Sequence, residues 1–138
     1  MKFFCAVTFL LSLASVAFAR EESILARVTS YWAGEGSNYA STGERLRAGH
    51  CAVDPNRIPY GSKVVFADGV CTAVDTGSAV VNRKAARLCG RTASQLKAIV
   101  VDRFFETKRE AMAWTNAHPE FITLQIVPPG SHQDLTAP

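Results

Sequence analysis

Six short segments rich in β-branched and aromatic residues, separated by turn-forming residues, constrain the fold of this chain most strongly. Such segments are typical of half-buried strands, and turn signals at close intervals favour a small sandwich or barrel. We therefore predict a mainly β fold, a six-stranded barrel with one or two inserted or peripheral helices. The predicted strands are 25–32, 51–53, 63–66, 70–75, 99–105 and 122–127.

Local signals place one hairpin and two helices on this frame. Asp68-Gly69 suits the positive φ angles of a two-residue turn, so it predicts a hairpin between the third and fourth strands. Thr107 and Glu110 form a capping box, which predicts a helix that ends before Pro119. A second helix is predicted over residues 82–89, with Asn82 as its N-cap and Gly90 after its last residue.

The two ends of the chain differ from its middle. Residues 1–19 contain one charge, Lys2, then an apolar run that closes on Ala17-Phe18-Ala19, as in a cleaved secretory signal. A retained membrane anchor is the alternative, although so short a run barely spans a bilayer. We expect an exported protein, periplasmic or associated with the outer membrane or cell wall, without stable membrane insertion after cleavage. The predicted domain covers residues 20–127, and residues 128–138 form a flexible tail.

Charge and cysteine content exclude several function classes. The formal net charge of +3 is small and scattered, so no nucleic-acid footprint is expected. The chain without its signal contains Cys51, Cys71 and Cys89, and no pair has metal-ligand spacing, so neither a metal nor a cofactor is expected. In an oxidising compartment we predict one disulfide, and all three pairings of these cysteines are possible. A bond from Cys89 to Cys51 or to Cys71 would tie the inserted helix to the barrel.

Three aspartates are the candidate catalytic residues. Asp54, Asp75 and Asp102 each lie at or just past the end of an apolar strand. Strand ends of a barrel can converge, and carboxylates held among apolar residues have raised pKa values, which suits general acid work. Asp54 and Asp75 also fit plain turn formation. Asp102 is harder to explain structurally, because an isolated charge between apolar residues is costly to desolvate.

Six ordered motifs resemble the three-aspartate (3D) domain family, from about residue 27 to residue 127. The motifs are Thr29-Ser30-Tyr31, Ser41-Thr42-Gly43, Ala52-Val53-Asp54-Pro55, Ile58-Pro59-Tyr60-Gly61-Ser62, Ala73-Val74-Asp75-Thr76-Gly77 and Val101-Asp102-Arg103-Phe104-Phe105. The family fold is a double-psi β-barrel, related to the catalytic barrel of membrane-bound lytic transglycosylase A and more distantly to expansins. The resemblance thus implies a monomeric enzyme that cleaves peptidoglycan glycan strands between N-acetylmuramic acid and N-acetylglucosamine.

The resemblance also assigns roles to individual residues. Asp102 matches the catalytic acid, which protonates the glycosidic oxygen and then accepts a proton as the muramic acid hydroxyl attacks. Asp75 would polarise Asp102, and Asp54 would brace the site. The groove residues that match, and that would contact sugar, are Tyr31, Thr42 and Thr29.

The chain departs from the family pattern after Asp75. Ser78-Ala79-Val80-Val81-Asn82 stands where the family commonly has Gly-Ala-Ile-Lys-Gly, so Val81 occupies the lysine position. If that lysine orients substrate, Arg83, Lys84 or Lys97 would have to replace it.

Three other functions stay open at this point. An expansin-like barrel would bind cell-wall carbohydrate without cleaving it. A retroviral-type aspartic protease would pair two copies of Asp75 across a dimer, although this leaves Asp102 unexplained. The third possibility is a structural or inhibitor domain in which the aspartates are inert.

Overall fold

The computed structural model describes residues 20–131. The predicted signal segment and residues 132–138 of the predicted tail lie outside that range. Six strands and four short helices follow one another along the described chain: β1 Glu22–Trp32, β2 His50–Ala52, β3 Lys63–Phe66, β4 Gly69–Asp75, α1 Ser78–Val81, α2 Lys84–Cys89, α3 Ala93–Lys97, β5 Ile99–Phe105, α4 Lys108–Ala117 and β6 Phe121–Val127. None of these helices is both long and apolar enough to cross a membrane.

The six strands close into a barrel in the order β1-β5-β2-β4-β3-β6. β1 runs parallel to β5 and β2 parallel to β4, whereas the other neighbours are antiparallel. Closure leaves no open sheet edge, which protects a small sheet from pairing with other chains. The predicted fold class, a mainly β six-stranded barrel with peripheral helices, is confirmed.

Alternate residues of each strand fill the barrel interior. Ala26 and Val28 of β1 and Ile99 and Val101 of β5 belong to one buried cluster, because side chains of a strand alternate between two faces. Leu124 of β6 is fully buried in the same cluster. The residues between these positions therefore point to the outside of the barrel wall, where the candidate site residues also lie.

Two separate hydrophobic clusters pack against the outside of the barrel wall. Val80 of α1 and Ala86 of α2 pack with Ala52 and Val100 in one cluster. In the second cluster, Ala40 and Leu46 of the segment between β1 and β2 pack on Val74 and Phe104. The outer faces of β5 and its neighbours are thus apolar on both sides of Asp102.

The helices differ in part from the prediction. The capping box of α4 is present, because Glu110 N donates to Thr107 Oγ1 at 3.2 Å and Thr107 N donates to Glu110 Oε2 at 3.1 Å. The helix predicted over residues 82–89, however, begins two residues later, as α2 at Lys84, and a separate short helix, α1, precedes it. Asn82 N donates to Ser78 O, so Asn82 ends α1 rather than capping the next helix.

α2 begins after Arg83, the one residue other than glycine in the described chain with a positive φ, 52°. The Arg83 guanidinium donates to Leu96 O at 3.0 Å, which ties the break between the helices to α3. Gly90 follows α2 as predicted. A Cβ at Gly90 would lie 2.7 Å from Ala86 O, so the reason for glycine is close packing of α2 and α3 rather than a left-handed φ.

The β3–β4 hairpin is confirmed, but its turn is one residue earlier than predicted. Phe66 pairs with Gly69, so Ala67 and Asp68 form the turn, and neither they nor Gly69 have positive φ. The Asp68 carboxylate accepts hydrogen bonds from Arg103 and Trp114, which fixes the turn around a side chain that the local pattern does not reveal.

The predicted disulfide is absent, because all three described cysteines are unpaired. Cys51 and Cys71 face the barrel interior, whereas Cys89 lies at the end of α2, outside the barrel wall. The wall therefore separates Cys89 from both of its predicted partners.

Candidate functional site

The candidate site is a row of residues across four neighbouring strands. Thr29 of β1 pairs with Asp102 of β5, Asp102 pairs with Ala52 of β2, and Ala52 pairs with Asp75 of β4. Two strand spacings therefore separate the backbones of Asp102 and Asp75, about 10 Å. The fold thus brings two of the three predicted aspartates, 27 positions apart in sequence, to one outer patch.

A register shift in the β2–β4 ladder gives Asp75 its place in this row. Cys51 pairs with Ala73, but the next residue, Ala52, pairs with Asp75 rather than with Val74. Strict alternation would turn Asp75 toward the interior with Cys71 and Ala73. Irregularities of this kind re-aim side chains and are common beside functional sites. The shift therefore explains how Asp75 comes to share a face with Asp102.

Asp102 is a largely buried carboxylate that forms no ion pair with any residue between 20 and 131. Burial raises its pKa to about 6, the hydrogen bond from Thr29 Oγ1 to Asp102 Oδ1 at 2.8 Å opposes this shift, and the charges of Glu35 and Asp75 add to it. Arg103, the next residue, lies on the opposite face and pairs with Asp68 at 2.8 Å. Asp102 thus changes protonation close to neutral pH, as a group that both donates and accepts a proton must.

Asp75 is held by three donors. Ser41 N and Thr76 N donate to Asp75 Oδ1 at 2.8 and 2.9 Å, and the Tyr31 hydroxyl donates to Asp75 Oδ2 at 3.1 Å. A carboxylate whose oxygens both accept hydrogen bonds is suited to fix the positions of the groups that donate to it. Asp75 therefore anchors the segment between β1 and β2 against the end of β4.

The three predicted sugar contacts all lie around these aspartates, each with its hydroxyl engaged by the protein. Thr29 binds Asp102, and Tyr31 binds Asp75 while its ring packs edge-on against Phe104 with centroids 5.2 Å apart. Burial, followed by the charge of Asp75, raises the pKa of Tyr31. Thr42 Oγ1 donates to Val74 O at 2.8 Å. These hydrogen bonds hold the site together.

Asp54 is the predicted site residue whose carboxylate is engaged in a local turn. Its carboxylate accepts a hydrogen bond from Asn56 N at 3.0 Å, and its carbonyl accepts from Arg57 N and Ile58 N. These bonds make Asp54 the first residue of a tight turn. The link to the site is through the backbone, because Val53 N donates to Asp75 O at 2.9 Å.

Two contributions to the site were missed by sequence reasoning. The charge of Glu35, in the segment after β1, raises the pKa of Asp102 after the larger effects of burial and of the Thr29 hydrogen bond. The Glu35 carboxylate is held by Trp32 N at 3.4 Å. Ser41 lies in the motif Ser41-Thr42-Gly43. Its hydrogen bond to Asp75 is made by the backbone N–H, which the identity of the residue does not encode.

An open groove of about 270 Å³ reaches Asp102 from the helical side. Its floor is formed by Thr29, Val100 and Asp102, and its wall by the apolar side chains of α1 and α2 together with Lys84. A ligand in this groove would place a polar atom against Asp102 while apolar surface covers its other side. Within residues 20–131, no three histidine, cysteine or acidic side chains are grouped so as to hold a metal ion.

No protein-family model matches this sequence, and no curated protein gives a significant match. The resemblance to the 3D domain family therefore rests on the six motifs and their order.

Proposed function

We propose that this protein cleaves the glycan strands of peptidoglycan between N-acetylmuramic acid and N-acetylglucosamine, as lytic transglycosylases do, with Asp102 as the single general acid and base. The observation that carries the proposal is a carboxyl group with a pKa raised to about 6, largely buried and uncompensated, at the end of an open groove. The order of the six motifs supports the choice of substrate.

The proposed reaction needs one proton carrier and no water. Thr29 occupies Asp102 Oδ1, which leaves Oδ2 to carry the proton. Protonated Asp102 donates to the glycosidic oxygen, the bond from that oxygen to the muramic acid C1 breaks, and N-acetylglucosamine leaves with a free hydroxyl. The C6 hydroxyl of the muramic acid then attacks C1 and returns its proton to Asp102. The product is a 1,6-anhydro end, and Asp102 is again protonated.

Asp75 and Tyr31 act as positioning residues in this scheme. The negative charge of Asp75 disfavours ionisation of Asp102 across Ala52, and Tyr31 holds the Asp75 carboxylate in place. Asp54 supports the site through the turn after β2. Export, predicted from residues 1–19, would deliver the protein to its polymer.

The second candidate function is an expansin-like barrel that binds cell-wall carbohydrate without cutting it. One observation favours it: the position of the family lysine is taken by Val81, whose side chain is exposed on α1 rather than part of the groove lining. An aspartic protease built on Asp75 is disfavoured, because both oxygens of that carboxylate already accept hydrogen bonds within the chain.

Digestion of purified peptidoglycan separates the two candidates. The exported protein is incubated with intact sacculi, and the soluble products are analysed by mass spectrometry. We expect muropeptides 18 Da lighter than their hydrated forms, as loss of one water in a 1,6-anhydro ring requires. Hydrated reducing ends would instead indicate ordinary hydrolysis. Bound but uncut sacculi would favour the binding barrel.

A further inference from the structure

The helical segment between β4 and β5, residues 78–98, has an unusual charge composition. It contains five basic residues and no acidic residue, and no acidic residue occurs from Thr76 to Val101. The formal net charge of the whole chain is +3, so this segment alone exceeds the positive excess of the protein. The basic residues are Arg83, Lys84, Arg87, Arg91 and Lys97.

Internal ion pairs do not account for these charges. The four ion pairs within residues 20–131 involve other basic residues, and the bonds of the Arg83 side chain are to Leu96 O and Ala98 O. The remaining four basic side chains of the segment are exposed. A surface helix usually intersperses both signs of charge, so an exposed surface of one sign indicates a partner of the opposite sign.

This charged segment borders the path to Asp102. Lys84 lines the 270 Å³ groove that ends at Asp102. A second groove, of about 290 Å³, is lined by Arg91. Cys89 lines both grooves, so they adjoin at the end of α2. The acidic residue of the second groove, Glu120, is paired with Arg27 at 3.4 Å, which reduces its repulsion of an incoming anion.

We infer that the two grooves form one extended binding surface, on which Lys84 and Arg91 bind carboxylate groups of peptidoglycan while the glycan strand lies at Asp102. The inference rests on the proposed function, and it names the part of the substrate that is recognised: the carboxylates of the acidic peptide stems, which neutral glycans such as chitin lack. Lysine provides a point charge and arginine a bidentate fork for carboxylates. Leu88, 74% exposed between the two basic residues, offers apolar contact to the intervening chain.

An anionic lipid surface is the competing partner, and the geometry favours the polymer. Helices that lie in a membrane interface present one continuous apolar face. Here the exposed apolar residues Val81, Leu88 and Leu96 belong to three separate helices of four to six residues. The grooves, by contrast, run past the basic residues to Asp102.

Binding measurements test the inference independently of cleavage. All proteins carry Asp102→Asn so that the polymer stays intact, and binding to sacculi is measured by sedimentation at low ionic strength. The test variant is Lys84→Gln with Arg91→Gln. The matched control is Lys108→Gln with Arg109→Gln, which removes the same charge from α4. We expect the test variant to bind about tenfold more weakly, equivalent to about 1.4 kcal/mol, and the control to bind like the parent.

A second experiment changes the polymer instead of the protein, by blocking its carboxylates chemically. Sacculi whose carboxyl groups have been amidated should bind the parent about tenfold more weakly, and the test variant should show no further loss. The inference is overturned if the parent binds native and amidated sacculi equally, if both charge variants lose the same affinity, or if nothing binds. The inference would also be overturned, in favour of a membrane partner, if the parent bound phosphatidylglycerol vesicles more tightly than sacculi and the Lys84→Gln, Arg91→Gln variant lost that binding. Failure of the proposed function is a separate result, namely the absence of anhydro products from the protein with Asp102 intact.

Discussion

Asp102 and Asp68 are two aspartates near aromatic residues of the barrel, but their pKa values shift in opposite directions. Burial opposes ionisation of Asp68, but hydrogen bonds and charge from Arg103 prevail and lower its pKa. Asp102 receives one neutral donor, Thr29, and burial raises its pKa to about 6. The difference comes from strand alternation, because Arg103 and Asp102 are adjacent in β5 and face opposite sides of the wall.

On the Arg103 side of the wall, the contacts of the guanidinium stabilise the fold. Its guanidinium lies 4.6 Å from the Phe66 ring centroid and 5.1 Å from that of Trp114, and it pairs with Asp68. Trp114 Nε1 donates to Asp68 Oδ2 at 3.1 Å. Arg103 and Asp68 thus compensate each other's charge. On the Asp102 side the missing cation leaves a carboxyl group that can exchange a proton near neutral pH.

The largest effect is expected from Asp102→Asn. The amide oxygen still accepts from Thr29 but cannot carry the proton, and general acid–base catalysis is worth about a hundred- to ten-thousand-fold in rate. We expect anhydro-muropeptide release to fall by that factor, measured by mass spectrometry, with thermal stability at pH 7 unchanged or raised. Asp75→Asn should lose less activity, because Asp75 transfers no proton. Retention of most activity by Asp102→Asn would show that the catalytic assignment is wrong.

The pH dependence of stability should differ in sign for the two aspartates. The folded pKa of Asp102, about 6, lies above the ordinary value of 3.8 for an aspartate. The folded state therefore binds more protons, and stability falls as pH rises between about 4 and 6, by up to about 3 kcal/mol. Asp68 has a lowered folded pKa, so its contribution is present above about 4 and lost as pH falls below that.

Urea denaturation of the parent, Asp102→Asn and Asp68→Asn across pH 3 to 7 measures both contributions. The Asp102 variant should lose the decrease between pH 4 and 6, and the Asp68 variant should lose part of the decrease at lower pH. Identical pH profiles for the parent and Asp102→Asn would contradict the raised pKa.

Asp68→Ala should lower stability at neutral pH without a comparable loss of activity. The substitution leaves the largely buried Arg103 guanidinium without its carboxylate and Trp114 Nε1 without an acceptor, which costs about 1–2 kcal/mol for a partly exposed pair. Chemical denaturation at pH 7 measures the loss, and product release per folded molecule provides the control. If Asp68→Ala reduced the specific activity as strongly as Asp102→Asn does, Asp68 would contribute to activity and not to stability alone.

The sequence predicts most of the barrel, because strand alternation and turn residues are local signals. β3 and β5 begin and end at the predicted residues, and the other four strands begin or end within a few residues of prediction. Errors arise where a distant contact decides a local conformation. The Asp68 turn depends on Arg103 and Trp114, and the start of α2 after Arg83, later than predicted, accompanies a contact of Arg83 with α3.

The candidate site is predictable to a different extent at each residue. Asp102 is identifiable because its apolar neighbours Val100 and Phe104 share its face, and both of them pack in clusters outside the barrel interior. The position of Asp75 depends on a register shift set by β2, which no pattern within β4 encodes. Ser41 acts through its backbone and Glu35 through space, so neither leaves a signal in residue spacing.

The smallest effect is expected from Thr29→Val. This substitution tests whether the hydrogen bond from Thr29 reduces the difference between the pKa values of Asp102 and Asp68. Valine keeps the shape of the side chain and its β propensity but cannot donate to Asp102 Oδ1. A hydrogen bond to the charged form lowers a pKa, so its removal should raise the pKa of Asp102 further. A bond worth about 0.5–1 kcal/mol corresponds to a shift of about half a unit. We expect the limb of the pH–activity profile that reports Asp102 to move upward by that amount, with maximal activity within about threefold of the parent. A downward shift would mean that Thr29 stabilises protonated Asp102 instead, and the proton would then belong on Oδ1.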